Sequence, residues 1–198
     1  AVLRPEHAPS MLTTVEERAG LLAQAGVDHV FALPFDMGVA AWSPQEFVDR
    51  VLVDALGARV VVVGANFRFG HRAAGDVAFL HDAGGAAGFA AEGVALDGGP
   101  QVWSSTYIRT CLAAGDVAGA AEALGRPVVV RGTVVRGDQR GRELGYPTAN
   151  VPTDAERAAP ADGVYAGRLR RLDTGESHPA AISVGTNPTF DGVRDRRV

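Results

Sequence analysis

With 198 residues, 46% of them hydrophobic and 21% charged, the chain has ordinary globular usage and enough apolar material to bury a core, which excludes disorder as a whole-chain state. A formal net charge of -4 excludes a surface built to neutralise a row of nucleic-acid phosphates, and no apolar run approaches the length of about 18 residues that a membrane span needs. None of the 19 basic residues is lysine, so a Walker-type phosphate loop is excluded, and the lone Cys111 excludes an intramolecular disulfide or a cysteine metal cluster. Reduced cytoplasmic surroundings fit this usage. The chain starts at Ala1 without a signal-like segment, and the sequence predicts that both ends are cut.

The first helix is announced by Thr13-Thr14-Val15-Glu16-Glu17, in which either threonine has a glutamate three residues later, as a capping box requires; it is expected to run to Ala25 and end at Gly26. Val27 to Leu33 is a short apolar run that predicts a buried strand. Ser43, Pro44 and Glu46 form a second start signal, and Phe47, Val48, Val51, Leu52 and Ala55 repeat on one helical face until Gly57. Arg59 to Gly64 is apolar without alternation, the pattern of a strand covered on both faces of a parallel sheet. Strand, helix and strand from Val27 to Gly64 therefore predict a βαβ unit, whose ligands bind beyond the carboxyl ends of the strands. Helices over 76–83 and 104–114, a strand over 89–96, and an alanine-rich helix capped by Asp116 and ended by Gly125 follow. After Pro127 the sequence turns β-branched: Val128 to Val135 predicts a strand, and Val164 to Leu172, the turn Asp173-Thr174-Gly175 and Pro179 to Val184 predict a hairpin. An α/β domain over 1–126 and a mainly β domain, a barrel, over 127–198 are the expected organisation.

Three segments carry residues suited to chemistry. Ser104-Ser105-Thr106-Tyr107-Ile108-Arg109 sets hydroxyls at a helix start with a guanidinium a turn later, a combination that binds anions; capping explains the same hydroxyls and is their commoner use. In the loop from Asn66 to Asp76, Phe67 and Phe69 can stack on a flat heterocycle whose edge Asn66 bonds, although core packing is the plainer explanation for either ring alone. His71 reads as a surface or packing residue. From Gly137 to Asn150, a Gly/Arg loop with Gly137 and Arg140 suits phosphates, and Thr148 with Asn150 offers neutral oxygens suited to Mg²⁺; turn chemistry accounts for the same residue types.

Taken together, these segments resemble the bacterial bifunctional flavin enzymes in which riboflavin kinase is joined to FMN adenylyltransferase. The blocks are Leu3-Arg4-Pro5 with Leu12-Thr13-Thr14, Leu33-Pro34-Phe35-Asp36, Asn66-Phe67-Arg68-Phe69-Gly70 with Gly75-Asp76, Ser104-Ser105-Thr106 with Ile108-Arg109, Leu124-Gly125-Arg126-Pro127, Gly145-Tyr146-Pro147-Thr148-Ala149-Asn150 and Gly185-Thr186-Asn187-Pro188-Thr189-Phe190. The resemblance implies a Rossmann-like nucleotidylyltransferase domain that moves AMP from ATP onto FMN, followed by an incomplete riboflavin kinase-like barrel that phosphorylates riboflavin. It implies ATP phosphate contacts at Ser105, Thr106, Arg109, Gly137 and Arg140, flavin contacts at Asn66 and Phe69 with Phe67 in support, and Mg²⁺ at Thr148 and Asn150. The partners it implies are small molecules, riboflavin, FMN and ATP, with no nucleic acid and no membrane; oligomeric state is not implied.

The family's Gly-Phe-Asp-Gly and His-x-Gly-His block is expected upstream of Leu3, and its catalytic glutamate just after Val198, so no catalytic residue is assigned within the span and weak activity is expected of it. Two other readings stay open at this stage. One is a different nucleotidylyltransferase fused to a β module, and the other is a non-catalytic flavin- or nucleotide-binding fragment.

Overall fold

The computed structural model describes residues 2–3, 5–96, 102–136, 145, 148–154, 156–186 and 196–198. Its contacts divide the chain into two compact units, Ala1–Pro9 with Ala19–Val102 and Ser10–Arg18 with Trp103–Val198. Helix α1 (Val15–Gln24) opens on the expected box: the Thr14 N–H donates to Glu17 Oε2 at 3.0 Å, and the Glu17 N–H donates to Thr14 Oγ1 at 3.1 Å.

In the first unit, α2 (Met37–Ala40) is capped by Asp36, and α3 (Pro44–Phe47) by a complete box between Ser43 and Glu46. The single helix expected from Ser43 to Gly57 is instead one α turn that continues as a π-helix over Val48–Ala55, with the Leu56 N–H reaching back five residues to the Val51 carbonyl. Apolar spacing reports which residues face inward, and Val48, Val51 and Leu52 do; it does not report the winding of the backbone.

β1 (Val60–Gly64), α4 (Val77–Ala87) and β2 (Ala90–Val94) form a parallel βαβ unit in the register Val60↔Ala90 to Gly64↔Val94. Asp76 caps α4 through the Phe79 N–H, and Gly88, at φ 84°, ends it in the left-handed conformation that favours glycine. Two expectations need correction. Val27 to Leu33 is not a strand, and Val30 and Phe31 are exposed; a parallel strand exists only beside a hydrogen-bonded neighbour, and among the described residues the ladder joins β1 to β2 alone. The βαβ unit thus lies one step later than the apolar runs suggest. β1 is covered on one face rather than two: Val61 and Val63 pack on the core while Val60 and Val62 are 61% and 58% exposed, because the π-helix and α4 both contribute to the same core cluster. That cluster is Val48, Val51, Leu52, Phe69, Leu80 and Phe89.

In the second unit, α5 (Ser105–Ala113) packs on α6 (Val117–Leu124) around Ile108, Cys111, Leu112 and Ala120, with Leu12 against the cluster. Asp116 caps α6 and Gly125, at φ 65°, ends it, as expected. β3 (Gly163–Arg170) and β4 (Ser177–Val184) form the expected antiparallel hairpin. Val128 to Val135 is not a strand; among the described residues its backbone pairs at Val135, which bridges Asn150. Further bridges join Pro152 and Gly185 to Arg197, and no closed barrel is present among the described residues.

Candidate functional site

The loop after β1 is tied at its neck. Phe69 and Gly75 exchange both backbone hydrogen bonds, at 2.9 and 3.2 Å, and Arg68 Nη1 donates to Asp76 Oδ2 at 3.1 Å. The close approach requires glycine at 75, where a Cβ would stand 2.7 Å from the Phe69 ring. Between the ties, Arg72 and Ala73 adopt positive φ of 54° and 57°, an uncommon conformation for residues bearing a Cβ.

This neck determines what the two phenylalanines do. Phe69 is buried, with its ring centroid 5.2 Å from Phe47 and 5.9 Å from Phe79, while Phe67 stacks on it at 5.5 Å and 17°. Phe67 is half-buried and Asn66 is exposed beside it, so the outward members of the loop are Asn66 and Phe67, and Phe69 is the ring behind them. His71 is an exposed surface residue: its backbone N–H donates to the Trp42 carbonyl at 2.7 Å and its Nδ1 lies 3.3 Å from the Ala40 carbonyl.

At the start of α5, the Ser104 hydroxyl accepts the Tyr107 N–H at 3.1 Å and so serves as the cap. Ser105 and Thr106 are exposed at the first helical positions, where backbone N–H groups lack intrahelical partners. Arg109 is half-buried, and its Nε–H donates to the Ser10 carbonyl at 2.7 Å. The Tyr107 phenol is held above its ordinary pKa, first by its hydrogen bond with Cys111 and then by charge repulsion from that group. The structure therefore brings Ser105, Thr106 and Arg109 onto one helix start in the second unit, while Asn66, Phe67 and Phe69 lie in the first.

Thr148 is exposed and Asn150 half-buried, with only Ala149 between them. The Asn150 carbonyl accepts the Val135 N–H at 2.8 Å, which fixes the segment. Gly137, Arg140, Arg4, Tyr146, Pro147 and Asn187 to Phe190 lie outside the described residues. Sequence reading overlooked Ser10, whose carbonyl holds Arg109 from 99 positions away, and Arg157, which reaches Glu17 across 140. No local signal marks contacts of that span. Among the described residues no helix is long and apolar enough to cross a membrane.

Family models match in succession, FAD synthetase over residues 1–106 and riboflavin kinase over residues 124–198. The chain is 39% identical over 96% of its length to the bifunctional riboflavin kinase/FMN adenylyltransferase of Escherichia coli K12, of which it covers 61%. It is 42% identical over 95% to the protein of that name from Pseudomonas fluorescens, covering 60% of it, and 31% identical over 94% to that from Bacillus subtilis, covering 58%. The chain thus spans about three fifths of these relatives. A solved structure titled as a macrolide-efflux protein from Streptococcus pneumoniae superposes with a TM-score of 0.79 at 32% identity, over 94% of this chain and 59% of that one.

Proposed function

The chain belongs to the FAD synthetase family, and from that membership we propose that it serves FMN and FAD synthesis, transferring a phosphoryl group from ATP to riboflavin and an adenylyl group from ATP to FMN. The observation that carries this reading is the order of the two family matches, FAD synthetase and then riboflavin kinase, along one chain. The β1–α4–β2 unit supports a Rossmann-like reading of residues 1–126, and the start of the riboflavin kinase match at residue 124 supports the functional limit that follows them. The hairpin β3–β4 and the bridges to Arg197 support a barrel reading of residues 127–198.

In adenylyl transfer, a phosphate oxygen of FMN attacks the α-phosphorus of ATP and pyrophosphate leaves. Such chemistry asks the protein for position and counter-charge rather than a nucleophile. Ser105 and Thr106 contribute hydroxyls and helix-start N–H groups, and Arg109 contributes its two terminal nitrogens, since Ser10 takes the Nε–H. Asn66 bonds the flavin edge and Phe67 covers its face, with Phe69 as the buried ring that keeps Phe67 in place. In the kinase reaction, the terminal ribityl hydroxyl attacks the γ-phosphorus and ADP leaves, with Gly137 and Arg140 beside the nucleotide.

Mg²⁺ suits Thr148 and Asn150. It commonly retains water and substrate phosphate oxygens rather than entering an all-protein cage, and among the described residues no group of three His, Cys, Asp or Glu side chains gathers to hold a metal. Bound there, it would neutralise charge on the transferring phosphates. The substrates are small and water-soluble, which fits a cytoplasmic setting.

Incubation with riboflavin or FMN and Mg-ATP, followed by chromatography with flavin fluorescence, tests the proposal. FMN and FAD as products support it in full, and retention of flavin without product would support a binding role only. Neither product nor flavin binding would refute it.

A further inference from the structure

We infer that Glu17 and Arg157 are positioning residues for ATP, because together they lock the strap of residues 10–17, whose Ser10 carbonyl orients Arg109. The inference rests on Arg109 being a phosphate ligand. Its Nε–H donates to the Ser10 carbonyl at 2.7 Å, so wherever that carbonyl is held, the plane of the guanidinium is held too.

The strap is fixed immediately beyond that point. The Met11 N–H donates to the Glu156 carbonyl at 2.7 Å, and the Ala158 N–H donates to the Met11 carbonyl at 2.9 Å, a parallel bridge centred on Arg157. Arg157 then turns its side chain back onto the same strap, where its Nη2 donates to Glu17 Oε2 at 2.6 Å. The two side chains are 20% and 15% exposed, so water and salt screen this pair less than the chain's surface pairs. Glu17 Oε2 also accepts the Thr14 N–H, and Arg131 Nε stands 3.9 Å from Oε1. Between the two fixings, Leu12 packs on the cluster that holds Ile108, Cys111 and Leu112 of α5. Strap, α5 and residues 156–158 all belong to one compact unit.

An unanchored arginine loses considerable rotamer freedom when it closes on a phosphate. With Nε already committed to Ser10, Arg109 meets the nucleotide partly ordered, and ATP binding bears less of that cost. Arg157 lies in the stretch matched by the riboflavin kinase model, so a residue of that stretch tunes the nucleotide contact at α5.

The test is Mg-ATP affinity, by titration calorimetry on the whole chain, for the wild type, Arg109→Ala, Arg157→Met, Arg157→Lys, Glu17→Gln and the double variant Arg109→Ala/Arg157→Met. Arg157→Met and Glu17→Gln are each expected to weaken the Arg109-dependent binding roughly tenfold, the factor that about 1.4 kcal/mol makes in an equilibrium constant. Arg157→Lys, which keeps the charge, should recover most of the loss. In the Arg109→Ala background, Arg157→Met should change nothing further, because the strap acts only through Arg109.

Wild-type affinity in Arg157→Met and Glu17→Gln would overturn the inference, and so would an equal loss from Arg157→Met with and without Arg109, which marks general damage. Wild-type affinity in Arg109→Ala would instead remove the phosphate reading of Arg109, a failure distinct from the other two. Should Arg157→Met unfold at the assay temperature, Glu17→Gln, which retains the Thr14 hydroxyl contact to its backbone, decides the matter.

Discussion

Gly84 and Gly85 are neighbours in α4, yet alanine at the two positions should shift stability in opposite directions. In a helix interior, replacing glycine by alanine ordinarily gains about 0.8–1 kcal/mol. At Gly85 a Cβ meets nothing within 4 Å, so Gly85→Ala should keep most of that gain. At Gly84 the same atom would lie 2.5 Å from the Phe89 backbone oxygen and 2.9 Å from two atoms of its ring. Phe89 cannot easily retreat, since its side chain is buried in the core, its N–H is bonded to the Gly84 carbonyl at 3.0 Å, and β2 begins at the next residue. Overpacking of this kind costs about 1–3 kcal/mol, which offsets the propensity gain and leaves Gly84→Ala less stable by up to about 2 kcal/mol. Urea unfolding followed through Trp42, which packs against this core, in a Trp103→Phe background reads the difference as opposite shifts in midpoint at constant slope. A Gly84→Ala protein as stable as Gly85→Ala would refute the account of how α4 seats on β2.

Removing Phe69 should leave a cavity costing about 3–5 kcal/mol, whereas Phe67→Ala should cost less and mainly weaken FMN binding; paired denaturation and flavin-fluorescence titrations separate the two roles. Ser43→Ala deletes the hydroxyl that accepts the Glu46 N–H and should lower stability by about 1 kcal/mol in the same unfolding assay. Burial on its own would raise the Glu17 pKa, but the Thr14 N–H and the bond and charge of Arg157 more than offset it and hold it below the ordinary glutamate value. A carboxylate with a depressed folded-state pKa contributes stability above its unfolded value that is lost as pH falls through the folded one, so stability should decline through that acidic window, and Glu17→Gln should flatten the decline in pH-dependent melts.

The features legible in the sequence are those set by residues three or four apart. Thr14 with Glu17, Ser43 with Glu46, and the cap Asp116 each close within one turn, and Gly125 ends α6 by its own conformational freedom. What escaped depends on distant partners. Among the described residues, Val27 to Leu33 has the composition of a strand but no ladder, and Val128 to Val135 pairs at its last residue alone. The π-helix over Val48–Ala55 turns Val48, Val51 and Leu52 inward as the expected α-helix would and leaves Ala55 exposed, a difference of one residue that hydrophobic spacing could not reveal. At the candidate site, the residue types at Asn66, Phe67 and Phe69 were readable, but which ring faces out was not, because the loop's neck at Phe69 and Gly75 decides it. Arg109 was readable as a cation at a helix start, whereas its dependence on Ser10 required the fold.

The most direct test of the central claim is equilibrium titration of the chain with FMN in the presence of Mg-ATP, followed by flavin fluorescence, with nicotinamide mononucleotide and phosphopantetheine as competitors. Saturable quenching that neither competitor relieves, and that Phe67→Ala weakens, is the predicted result. Absence of FMN binding, or its displacement by either competitor at comparable concentration, would contradict the flavin assignment.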